Sequence, residues 1–335
     1  MGLVIIEGWG GSGKSLLLSY LDSHSDLLAL PVHDKLPYDL LKLRSSQLNT
    51  LNSDIRHIRN TLSSHSYYNI EYNAIREQIP VLLSTEKDDT INVPFKFPFE
   101  KFESLWKAEA VAEKYFSREK LLDIIYTKFF EVAEIEQQKT NSLSKNFVSL
   151  GDARSCAPTK FLQEYPNSKI IYVKRDISEL IGIRSNRQTP TGLAKGMFEK
   201  DFLSVILSAE VQKIIDYEHK IKSAQTNNSD RVLIVEFEAL FDDRMHTLNN
   251  VQKFLDLPSE KLFPTMMGYK LGDETQNYGS QKNDSVHNLL QPTKISYVKF
   301  FEKIGRKSKI FNKILLLSLN LISFGIRALR YILKW

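Results

Sequence analysis

The eight residues Gly8-Trp9-Gly10-Gly11-Ser12-Gly13-Lys14-Ser15 constrain this chain more than any other stretch. They satisfy the spacing G-x-x-x-x-G-K-[ST], directly after a β-branched apolar run, Leu3–Glu7, and directly before a helical pattern, Leu16–Leu21. Strand, glycine-rich turn and helix in that order make half of a βαβ unit, the building block of an open parallel sheet. Glycines let successive backbone N–H groups converge on one point, and the helix N-terminus adds partial positive charge there. Lys14 supplies a mobile full charge. The stretch therefore predicts a polyanion site built from Gly10, Gly11, Ser12, Gly13, Lys14 and Ser15.

Leu27–Val32 is a second apolar run, ending in Pro31-Val32-His33-Asp34, and predicts the neighbouring parallel strand with polar residues at its exit. Phe147–Leu150, Ile170–Val173 and Val232–Val235 add three short strands flanked by helical or turn signals, so the expected fold class is α/β, a phosphate-loop-type parallel sheet flanked by helices. From about Tyr38 to Lys145 apolar residues recur three and four apart, as in Leu121, Ile124, Ile125 and Phe129, which predicts a helical insertion broken by the proline-containing run Asn92–Phe99. Ser223–Asp230 reads as a polar connecting loop. With 335 residues, 42% hydrophobic and 25% charged, the chain can bury a full core, which excludes disordered and collagen-like classes. We expect one α/β domain over 1–290 and a basic amphipathic tail over 291–335, forming a C-terminal helix.

A nucleoside-triphosphate enzyme of this loop type also needs an Asp closing a nearby strand to help hold Mg²⁺. Ile170–Val173 runs instead into Lys174-Arg175 before Asp176, and Val232–Val235 runs into Glu236. Cations at a strand exit suit a second phosphate better than a metal. An ATP- or GTP-dependent kinase or NTPase is the alternative that the loop by itself leaves open. The single cysteine, Cys156, excludes an internal disulfide and a cysteine-based zinc cluster.

Three segments together resemble the sulfotransferases that use 3′-phosphoadenylyl sulfate, particularly the bacterial and carbohydrate-acting branches. The first is Gly10–Ser15. The second is Gly151-Asp152-Ala153-Arg154 followed by Phe161–Asp176, similar to the family's strand ending in Arg-Asp. The third is Val232–Leu240 continuing to Leu248–Pro258. The resemblance implies that the loop holds the 5′-phosphosulfate and that Arg175 binds the 3′-phosphate. Where the family has Ser eight residues after that Arg, this chain has Ile183, with Ser185 just beyond as the candidate hydroxyl. The late loop over the 3′-phosphate is echoed in Gly268–Gly272 and in Asn277–Lys282, the latter ending in the candidate cation Lys282. It further implies an in-line, metal-independent sulfuryl transfer to a hydroxyl, with Lys14 neutralising the leaving oxygen. His33 and Asp34, at the exit of the second strand, are the candidates for the catalytic base. Asp152 and Arg154 are candidates for acceptor binding.

The net charge of +5 is unevenly spread. From Lys294 onward ten basic side chains face the single acid Glu302, so the tail holds about +9 and leaves the body at about −4. A mildly acidic body argues against nucleic-acid binding. In the tail Arg306, Lys313, Asn320, Arg327 and Lys334 recur every seventh residue, opposite a broad apolar surface of Ile, Leu and Phe. That pattern predicts a helix lying on an anionic membrane surface through residues 294–335, with packing on the body or on a second copy of the chain as the alternative; on a membrane the acceptor is then a glycan or glycolipid. The start carries no secretory leader pattern, so the expected location is the cytoplasm, peripheral on the inner face of the cell membrane.

Overall fold

A computed structural model describes residues 2–33, 36–41, 99–112, 117–132, 146–151, 157–180, 197–266 and 269–270. The strands are β1 (Gly2–Glu7), β2 (Leu27–His33), β3 (Asn146–Leu150), β4 (Ser168–Lys174) and β5 (Val232–Glu236), with a small pair β6 (Thr265–Met266) and β7 (Tyr269–Lys270). The helices are α1 (Lys14–Leu21), α2 (Leu36–Leu40), α3 (Phe99–Ala112), α4 (Arg118–Val132), α5 (Pro158–Glu164), α6 (Met197–Asn227), α7 (Ala239–Asp242) and α8 (Arg244–Phe254). All five strands expected from the apolar runs form, and they build one sheet in the order β2-β3-β1-β4-β5. β1 pairs in parallel with both β3 and β4, and β2 with β3.

One expectation is corrected by that order. β2 is not the neighbour of β1, because β3 lies between them. Sequential strands neighbour one another in only about two-thirds of cases, and here β3, which follows the long stretch that contains α2, α3 and α4, inserts between β1 and β2. β1 thus sits where the chain turns from building one side of the sheet to the other. At such switch points the loops from the carboxyl ends of adjacent strands diverge and leave room for a ligand.

The strands are apolar on both faces because both are covered. Val4 and Ile6 of β1, with Val148 and Leu150 of β3, pack in a core with Leu17 and Leu21 of α1 and Leu248 and Val251 of α8. The alternate residues face the other way. There Phe147 meets Tyr126 and Phe130 of α4 at ring-centroid distances of 5.4 and 5.8 Å, and Phe129 meets Phe102 of α3 at 6.2 Å. Leu121, Ile124, Ile125 and Phe129, the stripe read from the sequence, are all buried. A fully buried side chain of this size stabilises the fold by about 1.5–3 kcal/mol.

The polar stretch Ser223–Asn227, expected as loop, is the last turn of α6. Ile221 and Ala224 are fully buried, so the helical stripe continues into it, and Thr226 returns its hydroxyl to the Lys222 carbonyl. The connection to β5 is only Asn228–Arg231.

The chain divides into two compact units. One comprises 1–8, 13–173 and 228–275 and contains the sheet up to Val173. The other comprises 9–12, 174–227 and 276–335. Among the described residues no helix is long and apolar enough to cross a membrane. The tail expected as a helix over 291–335 and the middle of the insertion lie outside the described residues.

Candidate active site

The loop between β1 and α1 adopts the geometry its glycines allow. Gly11 and Gly13 have φ values of 92° and 89°, in the left-handed region that costs other residues strain. Gly13 caps α1, and its carbonyl accepts from the amides of Leu16 and Leu17 at 3.0 and 3.1 Å. A Cβ at Gly13 would also lie 2.2 Å from the ring of Phe237, which follows β5 and closes on the loop. Conformation and space each require glycine here.

Lys14 opens α1, is buried, and donates from Nζ to the carbonyl of Gly151 at 2.7 Å. Gly151 continues β3 beyond its end by donating its amide to the Ile6 carbonyl at 2.9 Å. In the preceding loop the amide of Ser12 donates to the Trp9 carbonyl at 2.9 Å. The Ser12 side chain is fully buried, and among the described residues its Oγ has no hydrogen-bond partner. A buried hydroxyl without a partner costs free energy comparable to a lost hydrogen bond. It sits among left-handed glycines whose amides form an anion-binding concavity. These features fit a phosphate- or sulfate-bearing group. Ser15 is half-buried at the first turn of α1.

Arg175, one residue past β4, has its guanidinium fixed by two acceptors. Nε donates to Glu179 Oε2 at 2.7 Å and Nη1 to the Gly11 carbonyl at 2.8 Å. A planar fork held at these two points keeps one orientation. Asp176, the residue a metal reading would need, is used otherwise. Its Oδ1 accepts the amides of Ser178 and Glu179 at 2.8 and 3.3 Å, capping the helical turn 177–180. Among the described residues no three His, Cys, Asp or Glu side chains are grouped to hold a metal ion.

Of the residues singled out in the sequence, Gly10, Gly11, Ser12, Gly13, Lys14, Ser15 and Arg175 are therefore described, and all lie in the loop, at the start of α1 or at the exit of β4. His33 closes β2 beside the end of β3, paired with Leu150; its side chain, like Asp34, Asp152, Arg154, Ser185 and Lys282, lies outside the described residues.

The structure adds residues that no motif marked. Glu7, the last residue of β1, is buried and accepts a hydrogen bond from the hydroxyl of Tyr38 in α2. Glu179 is legible in hindsight as a carboxylate four residues after Arg175, a spacing that pairs charges on a helix. Phe237 carried no signal beyond following a strand.

A model described as the sulfotransferase family matches residues 4–261. Solved structures similar to the chain include a sulfotransferase domain from the curacin biosynthetic pathway, at 16% identity over 90% of this chain and 96% of that one, with a TM-score of 0.44. A second is the sulfotransferase domain of a Synechococcus olefin synthase, at 12% identity over 96% and 94%, with a TM-score of 0.41. A sulfotransferase from Alicyclobacillus acidocaldarius is 11% identical over 90% and 95%, with a TM-score of 0.40. No curated protein matches the chain.

Proposed function

The chain belongs to the sulfotransferase family, and on that premise we propose that its donor is 3′-phosphoadenylyl sulfate and its acceptor a hydroxyl of a carbohydrate or glycolipid. In this reading the bond between sulfur and the phosphate oxygen breaks as the bond to the acceptor oxygen forms, in line and without a metal ion. The acceptor proton passes to His33 or Asp34, and adenosine 3′,5′-bisphosphate leaves. Positioning and charge stabilisation supply most of such a rate enhancement. Lys14, with the loop amides and the Ser12 hydroxyl, holds the 5′ end and neutralises the leaving oxygen. Arg175 takes the 3′-phosphate, with Ser185 and Lys282 assigned beside it, and Asp152 and Arg154 are assigned to the acceptor.

The observation that carries the donor assignment is Arg175. The exit of β4, the strand next to β1, presents a guanidinium oriented by Glu179 and Gly11 where a magnesium-dependent nucleotidase needs a carboxylate. The acid next to it in sequence, Asp176, is occupied as a helix cap. The test is transfer of label from sulfur-labelled donor to a panel of polysaccharides and glycolipids, with chelator present. Label on an acceptor that is lost in Lys14→Ala supports the reading. Absence of transfer to any hydroxyl, alongside hydrolysis of ATP, would overturn it. The basic tail, 294–335, is assigned in the same proposal to an anionic membrane surface on the cytoplasmic face, where a lipid-linked acceptor is within reach.

A further inference from the structure

Lys14 does not rest against a free-standing carbonyl. Its acceptor, Gly151, is wedged: a Cβ there would lie 2.5 Å from Glu7 Oε1, 2.5 Å from the Tyr38 hydroxyl and 2.5 Å from Ile5 Cγ2. The Gly151 backbone therefore lies flush on the hydrogen bond between Tyr38 and Glu7. Tyr38 is itself held from three sides. Its ring packs on Phe161 at a centroid distance of 5.6 Å, the Tyr165 hydroxyl donates to the carbonyl of Pro37 at 2.7 Å, and Arg118 Nε donates to that of Leu40 at 2.9 Å. These contacts fix α2, the short helix that follows His33 and Asp34.

We propose that Tyr38 and Glu7 are positioning residues for Lys14: their hydrogen bond sets the Gly151 carbonyl and, through it, where the ammonium stands relative to the bound nucleotide. Both are buried and neither is assigned to touch donor or acceptor. The link rests on the reading that Lys14 contacts the 5′ end of a nucleotide. It also gives α2 a role that packing alone does not require. The helix next to the exit of β2, where the acceptor base is assigned, is tied through the Tyr38 phenol to the lysine on the donor side.

A double-mutant cycle on the full chain tests this. Binding of adenosine 3′,5′-bisphosphate is titrated calorimetrically on wild type, Tyr38→Phe, Lys14→Ala and the double variant, with Glu7→Gln in a parallel cycle. Tyr38→Phe removes one oxygen and leaves the ring on Phe161, so it keeps the test alive if Glu7→Gln does not fold. Tyr38→Phe is expected to weaken binding about three- to tenfold in wild type, because the ammonium no longer stands where the nucleotide requires it. In the Lys14→Ala background the same change should alter affinity by less than about twofold, because the group it positions is gone. If Lys14→Ala binds too weakly for calorimetry, its affinity and that of the double variant are read by ligand-detected NMR instead. Equal effects in both backgrounds, or none in either, would overturn the proposal and leave Tyr38 a packing residue. If wild type binds ATP and not the bisphosphate, the donor assignment fails and the cycle is run on ATP, where the same coupling is expected. A wild type that binds neither overturns both.

Discussion

Gly13 carries two independent constraints, a left-handed φ of 89° and a Phe237 ring 2.2 Å from where a Cβ would stand. The first alone costs another residue about 1–3 kcal/mol. Gly13→Ala is therefore expected to lower the urea midpoint by an amount corresponding to at least about 1 kcal/mol and to weaken nucleotide binding with it. An unchanged midpoint would show that loop and ring relax freely. Gly151→Ala meets a similar wall of Glu7, Ile5 and Tyr38, and should lose nucleotide affinity as Tyr38→Phe does. At this scale much of the site was legible, because a phosphate loop is local: the glycines, Ser12 and Lys14 are adjacent in sequence and each answers to backbone geometry or charge. Arg175 was legible from the cations at a strand exit. Glu7, Tyr38 and Phe237 were not, since their roles arise from residues far apart in the chain, and a Glu ending an apolar strand or a Phe following one has no distinguishing pattern.

Among the elements, one side chain reaches across the junction of α5, β4 and β5. Arg231, just before β5, donates to the carbonyls of Ser168, Leu162 and Tyr165 at 3.0, 2.9 and 2.7 Å. Burial pulls its pKa below the usual arginine value, with Asp230 and Glu119 pulling the other way. Removing a charged donor from partly buried carbonyls costs about 1.5–3 kcal/mol. Arg231→Ala should lower the chemical midpoint accordingly, with Arg231→Lys intermediate because one ammonium cannot span the three acceptors. Lys128 of α4 makes the opposite case. Hydrogen bonds from its ammonium to Glu131 and Glu109, at 2.7 and 3.0 Å, raise its pKa above the ordinary 10.5. A raised folded-state pKa gives stability that is complete below the unfolded value and fades as pH rises through the folded one. Loss on titrating above pH 10.5, absent in Lys128→Met, is the expected signature. All five strands were legible as apolar runs, as was the buried stripe of α4. The adjacency of β2 and β3 was not, because pairing across a long insertion is decided by sheet topology and not by order along the chain. The extra turn of α6 was hidden by its polar composition, although Ile221 and Ala224 kept the helical period.

For the whole molecule, the family match ends at 261 while the chain continues to 335. The excess positive charge falls in that remainder, ten basic side chains against one acid from Lys294 onward. If the tail binds an anionic surface, the full chain should sediment with vesicles containing acidic lipid and be released by salt, and a chain truncated before Lys294 should stay in the supernatant. Sedimentation of both would place the membrane contact elsewhere. The central claim is that one nucleotide is held at both ends, by Lys14 at the loop and by Arg175 at the exit of β4. Calorimetric titration of adenosine 3′,5′-bisphosphate and of ATP, with and without Mg²⁺, on wild type and Arg175→Ala tests it most directly. Bisphosphate binding is expected to be indifferent to Mg²⁺ and weakened at least tenfold by the substitution, the loss of a charge-assisted contact worth about 1.5–3 kcal/mol. Magnesium-dependent ATP binding that ignores Arg175 would contradict it.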